Sequence, residues 1–141
     1  MFPIKNMDEL QKMSKKMKWQ YFEKLVAFIF EKNDFDTKQN KVIIFGKTKR
    51  QFDVIAERFS VVFLVECKKW SKFNASAVKK AVKDHRERSI LFNKKNKKNI
   101  IPIIVTLLQG DIKMHEEMPI IPIDKLNFFI NSFESIELLQ N

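Results

Sequence analysis

Three residues that can hold a cation or move a proton lie at the ends of two apolar segments. Asp53 interrupts the first segment, and Glu66 and Lys68 close the second. Residues 61–65 in the second segment are all apolar, which is typical of a strand buried on both faces. Charged groups at the end of such a strand are costly to desolvate unless something pairs with them. The sequence therefore indicates that these side chains form a site, the alternative being surface acids paired with neighbouring lysines.

The spacing of these residues predicts one shared site if the two segments form a hairpin. Glu66 and Lys68 are two residues apart, so on a strand they share one face and Cys67 lies on the other. A turn at Phe59–Ser60 places Asp53 directly opposite Glu66. Two neighbouring carboxylates repel each other unless a cation lies between them. An aspartate, a glutamate and a lysine at one strand end therefore suit a site that holds Mg²⁺ against a phosphate group.

The order of these residues resembles a known signature. Asp53 … Glu66-Cys67-Lys68 is similar to the PD-(D/E)xK motif of the restriction-endonuclease-like nuclease superfamily. Residues 46–56 and 66–70 resemble Mrr-type restriction nucleases and archaeal Holliday-junction resolvases, and the similarity extends upstream to the segment from Trp19 to Ala27. The resemblance implies an α/β fold with an αβββαβ core, in which helices flank a mixed central sheet.

The resemblance also implies roles for individual residues. Asp53 and Glu66 would hold Mg²⁺ or Mn²⁺, because hard oxygen ligands without a Cys/His cluster favour those ions. The backbone carbonyl of Cys67 would be a further ligand, and Lys68 would act on the attacking water or the phosphate. Glu23 stands where the family has an acid that assists metal or water positioning. It lies at the margin of the polar face of its helix, so a surface role is equally compatible with the sequence.

The charge of the chain favours a polyanionic partner. The net charge is +10, from 27 basic and 17 acidic residues, and such a field accelerates association with nucleic acid. The candidate DNA contacts are Lys47, Thr48 and Arg50, before the Asp53 strand, and Lys79 and Lys83, one helical turn apart. Each of the five also fits an ordinary solvated loop or helix face.

The 141 residues are expected to form a single nuclease domain, in which residues 1–17 are a flexible or helical extension. Hydrophobic periodicity predicts a helix, three strands, a second helix, a loop, two more strands and a last helix. The helices are expected at 18–32, 75–92 and 124–133, the last with Asp124 as its N-cap. The strands are expected at 36–45, 51–57, 61–67, 100–108 and 118–123, and the loop at 93–99.

The expected function is a metal-dependent endonuclease that hydrolyses DNA phosphodiester bonds. The alternatives are a structure-specific junction resolvase and a DNA-binding protein that keeps the fold without cleavage, which the intact Asp-Glu-Lys trio opposes. Cleavage of both strands needs two active sites, so a homodimer is expected. The single Cys67, with no signal peptide and no apolar run of membrane-spanning length, predicts a cytoplasmic protein without a membrane partner.

Overall fold

In a computed structural model, the described part of the chain contains three helices and six strands. The structure describes residues 19–96 and 98–140, with the side chains of residues 21–96 and 98–133. In chain order the elements are α1 (Trp19–Lys32), β1 (Asp36–Phe45), β2 (Thr48–Arg58), β3 (Val61–Lys68), α2 (Ala75–Asn96), β4 (Asn99–Thr106), β5 (Lys113–His115), β6 (Met118–Pro122) and α3 (Ile123–Gln140). The predicted 1–17 extension lies outside the described residues, and the single-domain organisation stays a prediction.

The strands form one mixed sheet in the order β1-β2-β3-β4-β6-β5. The first three strands are an antiparallel meander, and β3 pairs in parallel with β4 because α2 carries the chain back across the sheet. Strand β4 pairs in parallel with β6, and β5 closes the far edge in antiparallel orientation. The expected α/β class and αβββαβ core are confirmed, and the uniformly apolar β3 lies inside the sheet, where both of its faces are covered.

Helices cover both faces of the sheet. On one face α1 and α3 pack around Phe63, whose ring lies 5.4 Å from that of Phe30 and 5.2 Å from that of Phe133. On the other face α2 packs through Val78 and Val82 near β4 and through Phe92 near β2. Strands β2 and β3 therefore lie between two helical layers, and a group at the point where these strands separate can be reached from both layers.

Several boundaries differ from the prediction. Helix α2 continues to Asn96, so most of the loop expected at 93–99 is helical; Lys94 and Lys95 suit its last turn, where the helix dipole favours cations. The exposed three-residue strand β5 was not predicted, because it is too short to show a periodicity. Helix α3 begins at Ile123, so Asp124 lies in its first turn and is not its N-cap. Within the described part of the chain, no helix is both long and apolar enough to cross a membrane.

Candidate active site

The β2–β3 hairpin has the register that the sequence predicted. Its backbone pairs run from Arg58 opposite Val61 to Val54 opposite Val65. The next opposed positions are Asp53 and Glu66, and their carboxyl groups are in hydrogen-bond contact. The predicted juxtaposition of the two acids is therefore present, while their role as metal ligands stays a prediction.

Asp53 occupies the point where β2 and β3 stop pairing through their backbones. Its Oδ2 accepts a hydrogen bond from the backbone N–H of Cys67, at 2.9 Å. On β1, the residue opposite Asp53 is Asn40, which has a left-handed backbone with φ 50° and is missing from the β1–β2 pairs. Near this point Phe52 packs towards α2 and Val54 packs towards α1, which strict alternation would not allow. The backbone thus turns around Asp53, and its carboxylate reaches the main chain of β3.

The two carboxyl groups share one site with unequal proton affinities. Burial, reinforced by the contact with Glu66, raises the pKa of Asp53 to about 8. Burial acts in the same direction on Glu66, but the hydrogen bond with Asp53 and the charge of Arg88 outweigh it, so the pKa of Glu66 lies below its ordinary value. Near neutral pH the pair therefore keeps one proton on Asp53 because two buried negative charges repel each other.

Glu23 lies inside the protein, where its charge acts on Asp53 and Cys67. It is 3% exposed, and its negative charge contributes to the raised pKa of Asp53 and of the Cys67 thiol. The sequence placed it at the margin of a polar helix face and left a surface role open; its burial excludes the surface role, while its part in the site stays a prediction. Helix α1 packs against both the sheet and α3, so its buried stripe is wider than an amphipathic surface helix needs.

Cys67 and Lys68 complete the strand end. The Cys67 side chain is buried among the apolar residues facing α1, and burial, followed by the nearby charge of Asp53, raises the pKa of its thiol. Lys68 is the last residue of β3, pairs with Thr106 of β4 and shares a strand face with Glu66. Its ammonium has no ion-pair partner among the residues that the structure describes.

An open cavity of about 720 Å³ lies beside Lys68. Thr106, the neighbour of Lys68 in the sheet, lines it, as do three lysines: Lys69, Lys72 and Lys113. The Lys113 ammonium lies 4.9 Å from the centre of the exposed Phe73 ring. These lysines, which the sequence analysis did not single out, outnumber the one acid in the lining, Asp111, so the cavity favours a polyanion.

The predicted DNA contacts occupy two different places. Lys47 is exposed in the β1–β2 turn, Thr48 begins β2, and Arg50 donates from Nη1 to the carbonyl of Lys49 at 3.0 Å. Since Asp53 lies opposite Glu66, the start of β2 projects past the end of β3, and this turn lies at the same end of the sheet as the acids.

Lys79 and Lys83 are exposed on α2 and line a shallow groove with Arg86 and Glu116. At about 100° per residue, this flank of the helix is opposite the flank that carries Arg88. The structure therefore does not bring Lys79 and Lys83 beside the carboxyl pair, and their contact with DNA stays a prediction.

The sequence analysis missed Arg88 as a site residue. Its Nη2 donates a hydrogen bond to Oε2 of Glu66, and the two side chains are only 19% and 12% exposed. Arg88 follows the buried His85 by three residues on α2, and this spacing was the available signal that Arg88 lies beside the buried side of the helix.

The similarity of this chain to known proteins agrees with its fold and with the Asp53 … Glu66-Cys67-Lys68 motif. A sequence model of the Mrr-type restriction endonuclease catalytic domain matches residues 14–107, and the chain belongs to this family. An uncharacterized protein of Archaeoglobus fulgidus is 32% identical over 118 residues, which cover 82% of this chain and 92% of that protein. The chain is thus a nuclease-family protein of the restriction-endonuclease-like superfamily.

Two crystal structures show the same fold at low sequence identity. The small subunit of the heterodimeric restriction endonuclease R.BspD6I matches with a TM-score of 0.59 at 14% identity, covering 89% of this chain and 76% of the subunit. AF1548, described as a protein of unknown function, matches with a TM-score of 0.51 at 22% identity, covering 63% of this chain. That match spans about half, 47%, of AF1548.

The donor set at the strand end fits a hard divalent cation. Among residues 19–96 and 98–140, no three His, Cys, Asp or Glu side chains form a ready-made metal cluster. Asp53 and Glu66 nevertheless supply two adjacent carboxyl groups, and a cation between them would relieve the repulsion that arises when both are ionised. Magnesium commonly binds one or two carboxylates and completes its shell with water and substrate oxygens.

Asp53→Asn is expected to stabilise the metal-free protein at alkaline pH. The folded-state pKa of about 8 exceeds the ordinary value of 3.8, so wild-type stability should fall as pH rises between these values and should not fall further above them. A tenfold change in proton affinity corresponds to about 1.4 kcal/mol, and even partial relief should raise the free energy of unfolding by roughly 1–2 kcal/mol at pH 8. Urea denaturation at pH 4 and pH 8 measures this; an equal difference between variant and wild type at both pH values would contradict it.

Proposed function

We propose that this protein is an Mrr-like endodeoxyribonuclease that depends on Mg²⁺ or Mn²⁺. The observation that carries the proposal is the contact between the Asp53 and Glu66 carboxyl groups where β2 and β3 separate. Lys68 lies on the same strand face as Glu66, and the family match covers all three residues. The basic cavity beside Lys68 supports a polyanionic substrate.

Each residue has a distinct part in the proposed hydrolysis. Asp53, Glu66 and the Cys67 carbonyl would hold the cation. When bound, the divalent ion would supply a more acidic water and neutralise charge on the scissile phosphate. The Lys68 ammonium would donate a hydrogen bond to the attacking water or to a phosphate oxygen, where negative charge develops. Glu23, buried behind Asp53, would orient the water or the ligands.

Cleavage of supercoiled plasmid DNA tests the proposal. Nicked or linear product should form with Mg²⁺ or Mn²⁺, disappear with excess EDTA and return when the metal is restored. Glu57→Gln provides a matched control, because Glu57 is an acid on β2 whose ion pair with Lys98 lies at the other end of the strand from Asp53. DNA binding without any metal-dependent cleavage would reject the nuclease and favour the non-catalytic alternative.

A junction-specific resolvase is the second candidate. It is favoured by the resemblance of residues 46–56 to junction resolvases, and by the place of Thr48 at the start of β2, at the same end of the sheet as the acids. Cleavage of a cruciform at least tenfold faster than cleavage of the matching linear duplex would support it. Equal rates on the cruciform and the linear duplex would reject the resolvase and support the duplex endonuclease.

We also propose that two copies act together, because the described residues of each copy supply one carboxyl pair and a duplex has two strands. The single Cys67 fits the reducing cytoplasm as their proposed location. Light scattering coupled to gel filtration, with and without a DNA duplex, measures the assembly. A monomer in both conditions that still cuts both strands in one encounter would contradict the dimer.

DNA affinity is expected to fall steeply with salt, with a log–log slope of about −0.9 for each neutralised phosphate. Reversing Lys79 and Lys83 to Glu should weaken binding to all duplex sequences and flatten that slope by about one to two. Fluorescence anisotropy in Ca²⁺ or EDTA, from 50 to 300 mM salt, measures both quantities. A matched reversal of Lys47 and Lys49 in the β1–β2 turn provides the comparison. If only the turn reversal changes the slope, DNA lies along the hairpin and not along α2.

A further inference from the structure

A hydrogen-bonded chain joins Glu66 to the core of the protein. The buried His85 ring places Nε2 2.8 Å from the carbonyl oxygen of Leu64 and Nδ1 3.2 Å from Nη2 of Arg88. The same Nη2 donates to Oε2 of Glu66. Glu66 is therefore connected to α2 through two side chains and is not held by its own strand alone.

The chemistry of this chain fixes the direction of each hydrogen bond. A carbonyl only accepts, so Nε2 of His85 must carry a proton, and a guanidinium only donates, so Nδ1 must accept. His85 is therefore a neutral imidazole in one tautomer. Burial lowers the pKa of His85 to about 4, which agrees with that assignment, since an imidazolium would also repel Arg88.

The two elements are placed so that the chain spans their interface. Leu64 and Glu66 are two residues apart on β3 and share the face that packs against α2. His85 and Arg88 are three residues apart on α2 and therefore point to the same side of the helix. A glutamate at a strand end has three rotatable bonds, and ordering its carboxylate in advance removes an entropic cost from ligand binding.

We propose that Arg88, oriented by His85, is a positioning residue that holds the Glu66 carboxylate where it can share a cation with Asp53. The inference rests on the proposed function, and it assigns to α2 a part in the site that the Asp-Glu-Lys motif does not contain. Arginine suits this position, because its planar guanidinium donates in fixed directions and is less strongly hydrated than an ammonium.

Arg88→Ala should weaken Mn²⁺ binding, measured by calorimetry without DNA, by about 10- to 100-fold, the usual loss for a partner of a metal ligand. The loss of an ordered Glu66 carboxylate is expected to outweigh the gain from removing the repulsion between the guanidinium and the cation. The kcat for plasmid cleavage should fall by a similar factor, while the KM for DNA stays within about threefold, because Arg88 acts on Glu66 and not on the substrate. Added guanidinium ion should restore part of both losses. Arg88→Lys should retain little of the wild-type affinity, since an ammonium does not donate in the fixed directions of the planar guanidinium.

Two His85 variants separate positioning from packing. His85→Gln keeps a donor for the Leu64 carbonyl and an acceptor for Arg88, so Mn²⁺ affinity should stay near that of wild type. His85→Phe fills similar volume without either group, and its Mn²⁺ affinity should fall as in Arg88→Ala. Thermal unfolding monitored by circular dichroism confirms that each variant is folded at the assay temperature.

The outcomes distinguish this inference from the proposed function. If wild type neither binds Mn²⁺ nor cleaves DNA, the proposed function fails. If wild type does both and Arg88→Ala matches it, or if His85→Gln and His85→Phe lose equal affinity, the positioning role is overturned. A rise in KM with unchanged Mn²⁺ affinity would instead make Arg88 a DNA contact and would also overturn it.

Discussion

Asp53→Asn and Glu66→Gln are each expected to reduce Mg²⁺-dependent DNA cleavage by about 10³-fold or more. Each change keeps the shape of the side chain and removes the negative charge that would hold the cation. A divalent ion contributes several kcal/mol to the stabilisation of charge in the transition state of phosphodiester hydrolysis. Losing that stabilisation slows the reaction by about 10³-fold, because each 1.4 kcal/mol or so corresponds to a factor of ten in rate. Plasmid nicking under single-turnover conditions, together with Mg²⁺ or Mn²⁺ titration, measures the loss of activity and of metal affinity.

Glu57→Gln is the matched control for both variants. Glu57 lies on β2 as Asp53 does, but its carboxylate pairs with Lys98 at the far end of the strand. This control should cleave like wild type. Near-normal cleavage by Asp53→Asn or Glu66→Gln would reject that residue as a metal ligand. If Glu57→Gln is folded but inactive, removing any negative charge from β2 abolishes cleavage, and the losses at Asp53 and Glu66 are not specific.

Lys68→Ala is expected to slow cleavage by about 10²- to 10³-fold, the loss typical of removing one group that stabilises developing negative charge. Metal affinity should be unchanged or slightly improved, because an ammonium on the face of Glu66 opposes the binding of a cation. The measurement is single-turnover cleavage at saturating Mg²⁺, with calorimetry for the metal. This pattern differs from that of the carboxylate variants, in which metal affinity and rate fall together.

Lys69→Ala serves as the control for Lys68. Lys69 is the exposed next residue of the Lys68-Lys69 pair and follows the last position of β3. Its loss should affect DNA affinity more than the rate at saturating DNA. Wild-type rates in Lys68→Ala would mean that the resemblance of Glu66-Cys67-Lys68 to the nuclease motif carries no catalytic function.

The sequence by itself determined the centre of the site. Strand side chains alternate with a period of two, and a short turn at Phe59–Ser60 leaves one register, so residue numbers alone place Asp53 opposite Glu66. The same local rules located the three helices of the described residues and five of their six strands. The three-residue β5 escaped them, because it is too short for alternation to be visible and depends on pairing with β6.

Only the tertiary structure decided what surrounds the two acids. Glu23 is buried because α1 packs against the sheet and α3 together, and Arg88 reaches Glu66 because α2 crosses β3 with His85 against the Leu64 carbonyl. Lys79 and Lys83, on the other flank of α2, are directed away from the acids by the same crossing. Alternation and helical spacing are properties of neighbouring residues, whereas the rotation of a helix on a sheet results from the packing of many distant side chains. A wheel drawn from one helix cannot show which charged residue at its margin will meet the site.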